Sequence, residues 1–225
     1  MCQTEDALRI AEGSGDDLAL AIAQVTLGMV LVHRPTAAER DRRWELLAEV
    51  SDVFLRRRYH LGELPVVELY LARERARRGD RDEATPLMRA AVDDLFRRGQ
   101  LLASGMPATN VLVETQLDRG TDGDVGEAEA AIERLAAAPA DKGLVIREIW
   151  LLRLRALLAR AHGDAAAYAD FGDRYRVMAT SLGFEGHIAW AEAMPCRRSQ
   201  AVPARRGQHR RRPARRPRIG NNPPE

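Results

Sequence analysis

The amino-acid sequence predicts an all-α fold, a right-handed α-α superhelix of degenerate helical repeats over residues 1–195, followed by a disordered basic tail over residues 196–225. Four times, an apolar helix-forming run ends at a turn that pairs glycine with an acidic residue, and a second apolar run follows. The four turns lie at 12–16, 78–84, 119–124 and 162–164. No segment favours a strand, and the composition changes abruptly after Pro195. A spaced helix-turn-helix pattern is typical of units that bury their apolar faces by stacking.

The first of ten predicted helices is short. Thr4 is expected to cap a helix that ends at Gly13, and Asp16 to open a second one that stops before Pro35. The second helix contains the most apolar run, 18–32, which at 15 residues is too short to span a bilayer. We therefore expect a helix that is buried on both sides.

The third helix is long and amphipathic. Thr36 is expected to cap it, and it runs to about Tyr59. Residues spaced three and four apart define an apolar face and an opposite solvated face. The apolar face comprises Trp44, Leu47, Val50 and Phe54, with Leu55 at its margin. The solvated face comprises Arg40, Arg42, Arg43, Glu45 and Glu49.

Residues 66–98 form the clearest repeat unit. Pro65 starts its first helix, which runs to Arg78, and its second helix follows Gly79 and Asp80. Both helices carry apolar stripes. The stripe residues are Leu69, Leu71, Ala72 and Ala76 in the first helix, and Ala84, Leu87, Met88, Ala91, Val92, Leu95 and Phe96 in the second. Glycine and proline at 99 and 105–107 then predict a break in the chain.

Two further pairs, at 108–137 and 143–182, and a short capping helix at 184–194 complete the predicted stack. The helix at 143–162 is apolar on two stripes and must be covered from two sides. Its first stripe comprises Val145, Ile149, Leu152, Ala156 and Ala159, and its second Ile146, Trp150, Leu154, Leu157 and Leu158. Only Arg147, Glu148, Arg153, Arg155 and Arg160 interrupt the stripes.

The spacing of the turns supports a repeat array. The distance from Gly79 to Gly120 is 41 residues and from Gly120 to Gly163 it is 43. Both exceed the 34 residues of a regular tetratricopeptide repeat, so the array is degenerate.

Motifs that carry chemistry are mostly missing. The one lysine, Lys142, precedes Gly143 without the serine or threonine of a phosphate-binding loop. The histidines at 33, 60, 162, 187 and 209 show no metal-ligand spacing. We therefore expect no enzyme activity, and we assign no catalytic, cofactor-binding or metal-binding residue and no cofactor.

One turn resembles a calcium-binding loop in part. Asp118, Asp122, Gly123, Asp124 and Glu129 fall at positions one, five, six, seven and twelve of such a loop. Position three is a glycine, which offers no side-chain oxygen. The alternative is a turn in which Gly120 ends one helix and Asp122 or Asp124 caps the next. The repeat pattern favours this alternative.

The small net charge of +2 conceals two oppositely charged regions. Residues 196–225 contain ten arginines and one acidic residue, which leaves the first 195 residues with a net charge of about −7. The tail is proline-rich and nearly without apolar residues, so it cannot form a core. Three interpretations remain open: a shifted reading frame, an incidental basic tail, and an arm that binds phosphate backbones without sequence preference.

The last helices resemble a known family. Residues 143–161, Gly163, Asp164, the run 168–176 and the run 178–194 are similar to the C-terminal end of large actinobacterial, especially mycobacterial, regulators. Those proteins combine a class III adenylyl cyclase domain, an AAA-type ATPase module and a tetratricopeptide-like helical region. The resemblance is specific over 140–195 and covers the helical region alone. It implies a shortened or split remnant of a signalling regulator, without the cyclase or ATPase chemistry.

Two classes of function follow. The first is a non-catalytic interaction or sensor module that holds a protein or peptide in a groove of the repeat array. The second is a nucleic-acid-associated protein that acts through its arginine-rich tail. The start of the chain is acidic and lacks the pattern of a signal peptide, so we expect a cytoplasmic protein without a membrane partner.

Overall fold

Ten α-helices make up most of the residues that the structure describes. A computed structural model describes residues 2–31, 37–58, 62–139 and 143–194. The helices are α1 (Cys2–Ser14), α2 (Asp17–Leu31), α3 (Ala37–Arg57), α4 (Leu64–Arg78), α5 (Arg81–Arg97), α6 (Met106–Arg119), α7 (Asp122–Ala137), α8 (Val145–Ala161), α9 (Ala165–Leu182) and α10 (Glu185–Ala193). These described ranges contain no strand. The predicted all-α class is confirmed.

The helices pack as successive antiparallel neighbours. Within the pairs, α4 packs on α5, α6 on α7 and α8 on α9. In addition, α6 packs against both α4 and α8. The first helices of three consecutive pairs therefore lie side by side, and each carries its second helix with it. All ten helices belong to one compact unit, Met1–Met194.

Three apolar clusters form the core. The first joins α1 and α2 around Leu27, and the second joins α3 to α6 around Phe54 and Leu69. The third joins α6 to α10 around Ile149 and Tyr175. Each fully buried leucine or isoleucine contributes roughly 2 kcal/mol, so these clusters dominate the stability of the unit.

The N-terminal helices follow the apolar pattern with two differences. α2 is covered by α1 and α3, yet Ile22 remains 46% exposed. In α3, Leu47, Val50 and Phe54 are buried as predicted. Leu55 is 56% exposed, so its predicted place beside this face is wrong. A residue directly after Phe54 is turned by about 100° around the helix axis and reaches solvent.

The stripes of α5 and α8 are buried except at single positions. Leu87 is 45% exposed and Val145 is 41% exposed, which differs from the prediction for both. Val145 is the first residue of α8, where fewer neighbouring side chains cover it. The remainder of α8 is covered by α6, α7 and α9, as its two apolar stripes predict.

The start of α2 is correctly predicted and that of α1 is not. The Asp16 side chain accepts hydrogen bonds from the amides of Leu18 and Ala19, at 2.9 and 3.2 Å, and so caps α2. α1 begins at Cys2, which places Thr4 inside the helix rather than at its cap.

The break predicted at Gly99 is confirmed, because α5 ends at Arg97 and Gly99 has a φ angle of 69°. The break predicted at 105–107 is wrong. A π-helical turn, Leu101–Gly105, leads directly into α6 at Met106. The amide of Gly105 donates to the carbonyl of Gln100 at 2.9 Å, five residues earlier. Pro107 lies in the first turn of α6, where its missing amide hydrogen is not needed.

Several predicted features lie outside the described residues. They are the cap at Thr36, the helix end at Tyr59, the side chain of Arg40 and the tail 196–225. Within the described parts of the chain, no helix combines the length and the hydropathy needed to cross a bilayer.

Candidate interaction site

Glycines in the left-handed conformation end the first helix of each pair. Gly79, Gly120 and Gly163 have φ angles of 116°, 71° and 72°. This region is costly for any residue with a Cβ atom, so glycine is required at each turn. Gly79, Gly120 and Gly163 are therefore equivalent positions at the ends of α4, α6 and α8, from which the residues of the three helices can be counted.

Equal distances from these glycines place polar side chains opposite one another. Arg73 and Glu114 each lie six positions before the glycine of their own turn. Arg73 Nη2 donates to Glu114 Oε2 at 2.8 Å, which joins α4 to α6. Asn110 and Arg153 each lie ten positions before their glycine, and Arg153 Nη1 donates to Asn110 Oδ1. The polar groups therefore pair at equivalent positions of neighbouring helices.

Arg153 connects three helices, α8, α6 and α10. Besides Asn110, its guanidinium donates to the Glu114 carboxylate of α6. It also lies 4.6 Å from the centre of the Trp190 ring of α10, within the range of a cation–π contact. We call the set Arg73, Asn110, Glu114 and Arg153 the polar ladder. Sequence reasoning treated Arg153 as a charged interruption of two apolar stripes, whereas it is buried and paired.

A second buried ion pair joins α3 to α4. Arg43 is fully buried and forms an ion pair with Glu74, which is also buried. Arg77 pairs with the same carboxylate at 2.9 Å. The prediction that Arg43 lies on the solvated face of α3 is therefore wrong. The packing of α4 on α3 covers this part of the helix, and the Glu74 carboxylate stabilises the buried charge.

An aromatic cluster supports the α8 end of the ladder. The Tyr175 hydroxyl lies 2.9 Å from His187 Nδ1, and both side chains are buried. Trp150 and Trp190 pack against the imidazole, with ring centres 4.8 and 5.2 Å away. Burial raises the pKa of Tyr175 to about 12. The His187 imidazole is thus buried between the Tyr175 hydroxyl and two indole rings.

The turn that partly resembles a calcium loop is a helix cap. Thr121 is the capping residue, and its side chain accepts from the Asp124 amide at 3.2 Å. The Asp124 carboxylate accepts from the Thr121 amide in return, which completes a capping box. Gly120 ends α6 as predicted, but the prediction of Asp122 or Asp124 as the cap is wrong. Arg119 binds both oxygens of Asp124, at 2.7 and 2.5 Å.

The predicted ligand positions of this turn are not brought together. Asp118, Asp122, Gly123 and Glu129 are exposed, whereas Asp124 is buried. Hydrogen bonding from Arg119 is the largest cause that lowers the pKa of Asp124, to about 2. Nowhere in the described residues do three histidine, cysteine or acidic side chains group as metal ligands.

The polar ladder continues to the surface at one edge. Arg77 follows Arg73 by one helical turn in α4, and Asp118 follows Glu114 by one turn in α6. Arg77 and Asp118 each lie two positions before their turn glycine, so they again correspond. Arg77 is 39% exposed and Asp118 is also exposed. The ladder thus joins α4, α6 and α8, and Arg77 and Asp118 form a charged row at its exposed edge.

Sequence reasoning assigned no site residues and missed the ladder. A signal was present, because Arg153 interrupts a helix that is otherwise apolar on two stripes, and its offset from the turn glycine matches that of Asn110. Comparing positions between repeats, rather than within one helix, would have identified the contact.

Comparisons with protein-family models, curated proteins and solved structures found no match to this chain.

Proposed function

We propose that residues 1–195 form a right-handed α-α superhelix that acts as a non-catalytic interaction or sensor module in the cytoplasm. The observation that carries this proposal is the equal offset of the ladder residues from their turn glycines in α4, α6 and α8. Equal register in consecutive pairs is the property of a repeat array, and such arrays bind partners on their extended surfaces.

The ladder supports binding by making the surface rigid. Long charged side chains lose conformational entropy when a partner orders them. Here Arg73, Glu114 and Arg153 join α4, α6 and α8 in the free protein, so the helices that carry Arg77 and Asp118 are already fixed before a partner binds. We infer that a protein or peptide segment lies along the row that includes Arg77 and Asp118.

The likeness of 140–195 to the helical region of cyclase and ATPase regulators supports a role in signalling. We propose that the chain is a truncated or split remnant of such a regulator, with residues 1–195 as its helical domain and 196–225 as a disordered replacement of its normal ending. Cyclase or ATPase activity would belong to the other domains of that family. Intact mass of the endogenous protein, beside the DNA sequence through codon 196, tests whether the tail is translated.

Site-specific cross-linking tests the interaction surface. Arg77 or Asp118 is replaced by p-benzoylphenylalanine in the full chain, in the cells that make it. Val177 of α9 is 70% exposed and lies outside this row, so it provides the control position. We expect one protein to be captured from both 77 and 118 and not from 177. Equal capture from 177, or no capture from either test position, would contradict the proposed surface.

The alternative function is nonspecific binding of nucleic acid through the ten arginines of the tail. Replacing these arginines by glutamine would abolish such binding, and affinity for DNA in the parent chain would fall steeply with salt. Capture through positions 77 and 118 would be unaffected by the same replacement. The two functions are therefore distinguished by one variant.

A further inference from the structure

A pocket of about 360 Å³ lies between α5 and α7, above α6. Two ion pairs cross it, one between Arg89 and Glu127 and one between Asp93 and Arg134. Asp93 and Arg134 each lie 14 positions after their turn glycine, so the second pair joins equivalent positions of the two helices. Residues at equivalent positions of α5 and α7 therefore form one of the two ion pairs at the pocket.

The buried part of the pocket lining is mainly apolar, with Thr109 and Gln116 as its polar members, whereas the four charged side chains lie at its exposed rim. Its walls include Val92 and Phe96 of α5, Leu112 of α6 and Ala131 of α7. The alanine leaves open the space that a longer side chain on α7 would fill. Pockets of roughly 300–1,000 Å³ with apolar walls and few polar groups are typical of small-molecule sites.

Gln116 supplies an unpaired acceptor at this pocket. The residue lines the pocket and is 2% exposed. Its Nε2 donates to Glu127 Oε2 at 3.0 Å, which fixes the orientation of the amide. Its Oε1 is buried and receives no hydrogen bond from the described residues. A buried carbonyl oxygen without a donor is unfavourable, so a donor brought by a ligand would be stabilising.

We propose that this pocket binds a small, mostly apolar molecule, about as large as one aromatic bicycle, which donates an N–H or O–H hydrogen bond to Gln116 Oε1. Binding requires the Gln116 amide to turn so that Oε1 faces the pocket that the residue already lines, and this gives up the contact of Nε2 with Glu127 Oε2.

This site is separate from the proposed interaction surface. On α6, Leu112 and Gln116 lie on the side opposite to Asn110 and Glu114, as the spacing of an α-helix requires. Failure of one proposal therefore leaves the other standing.

Indole and 1-methylindole are the probes. They share size and apolar character, but only indole has an N–H donor. Each is titrated into the full ¹⁵N-labelled chain, and amide shifts of Val92, Leu112 and Ala131 are followed. We expect saturable binding of indole. We expect 1-methylindole to bind at least about fivefold more weakly than indole, which corresponds to the loss of one net hydrogen bond.

Two variants locate the effect. Gln116→Met removes the acceptor at similar volume and should abolish the difference between the two probes. Gln24→Met is the matched control, because Gln24 likewise donates to a glutamate, Glu49, at 3.2 Å. Ala131→Leu fills the pocket and should prevent binding of both probes.

Equal affinities of the two probes for the parent chain would overturn the proposal, and so would the absence of saturable shifts around the pocket. The comparison of probes on the parent chain decides the matter even if Gln116→Met fails to fold.

Discussion

Arg153 of α8 donates to the carboxylate of Glu114 in α6, and this largely buried contact joins the first helices of two neighbouring pairs. Both charges are mostly removed from water, so each depends on the other. Removal of one partner would therefore leave an uncompensated buried charge, which costs more than the loss of one partner of a surface ion pair.

Arg153→Met should lower the free energy of unfolding by about 3 kcal/mol, because it leaves a buried carboxylate with one guanidinium fewer. Arg155→Met is the control. Arg155 lies in the same helix, is 36% exposed and approaches Glu133 at 3.7 Å, so its loss should cost less than about 1 kcal/mol. Urea denaturation at neutral pH measures both. Equal losses of unfolding free energy in the two variants would show that the burial of Arg153 does not increase its contribution to stability.

The all-helical architecture and its turns could be predicted from the sequence because they depend on local chemistry. Gly79, Gly120 and Gly163 mark helix ends by a backbone conformation that other residues rarely adopt. Asp16 and Asp164 cap the helices that follow, since each side chain accepts from amides of the first turn. None of these features requires knowledge of the rest of the fold.

The buried arginines could not be predicted in the same way. A rule that considers one helix at a time places Arg43 on the solvated face of α3. The same rule treats Arg153 as a charged residue that interrupts the apolar stripes of α8. Their burial depends on Glu74 and Glu114, which lie 31 and 39 residues away in the sequence. The proline in the first turn of α6 is similarly ambiguous, because it is compatible with a break or with a helix start.

Asp124 should make the stability of the protein depend on pH in the acid range. Arg119 holds the pKa of this carboxyl at about 2 in the folded chain, against an ordinary value of 3.8. A lowered pKa stabilises the fold above the ordinary value, and this stabilisation is lost as the pH falls from about 4 towards 2. Asp124→Asn should therefore cost about 2 kcal/mol at pH 7.

The measurement is urea unfolding of parent and variant at pH 7 and near pH 2. The difference between the two proteins should shrink at the lower pH, where the parent carboxyl is partly protonated. Asp122→Asn, at an exposed position of the same turn, serves as control. A difference that stays constant with pH would mean that Asp124 contributes through packing rather than charge.

Gly120→Ala should destabilise the protein by about 1 kcal/mol, because alanine must adopt a φ of 71° at this position. Gly126 lies inside α7, at a helical φ and with open space around it. Gly126→Ala should therefore stabilise by about 0.5–1 kcal/mol. The opposite signs are read from thermal unfolding of the two variants. If both variants were destabilised, the left-handed conformation of Gly120 would not explain the effect of Gly120→Ala.

Gly28 in α2 permits a close approach of α3. A Cβ atom at this position would lie 2.8 Å from Leu47 Cδ2 and 3.0 Å from its Cγ. Leu47 is fully buried, so it has little room to move away. Gly28→Ala should therefore cost about 2 kcal/mol through overpacking, despite the better helix propensity of alanine.

Shortening Leu47 should relieve the clash. Leu47→Val alone costs about 1 kcal/mol through lost burial, and the double variant should lose about 1 kcal/mol less than the sum of the single losses. Gly172→Ala in α9 is the control, because no atom lies within 4 Å of its added Cβ. Urea unfolding of the four variants gives the coupling energy. Strict additivity would mean that α2 and α3 move apart to accept alanine, and that their contact is less tightly packed than Gly28 indicates.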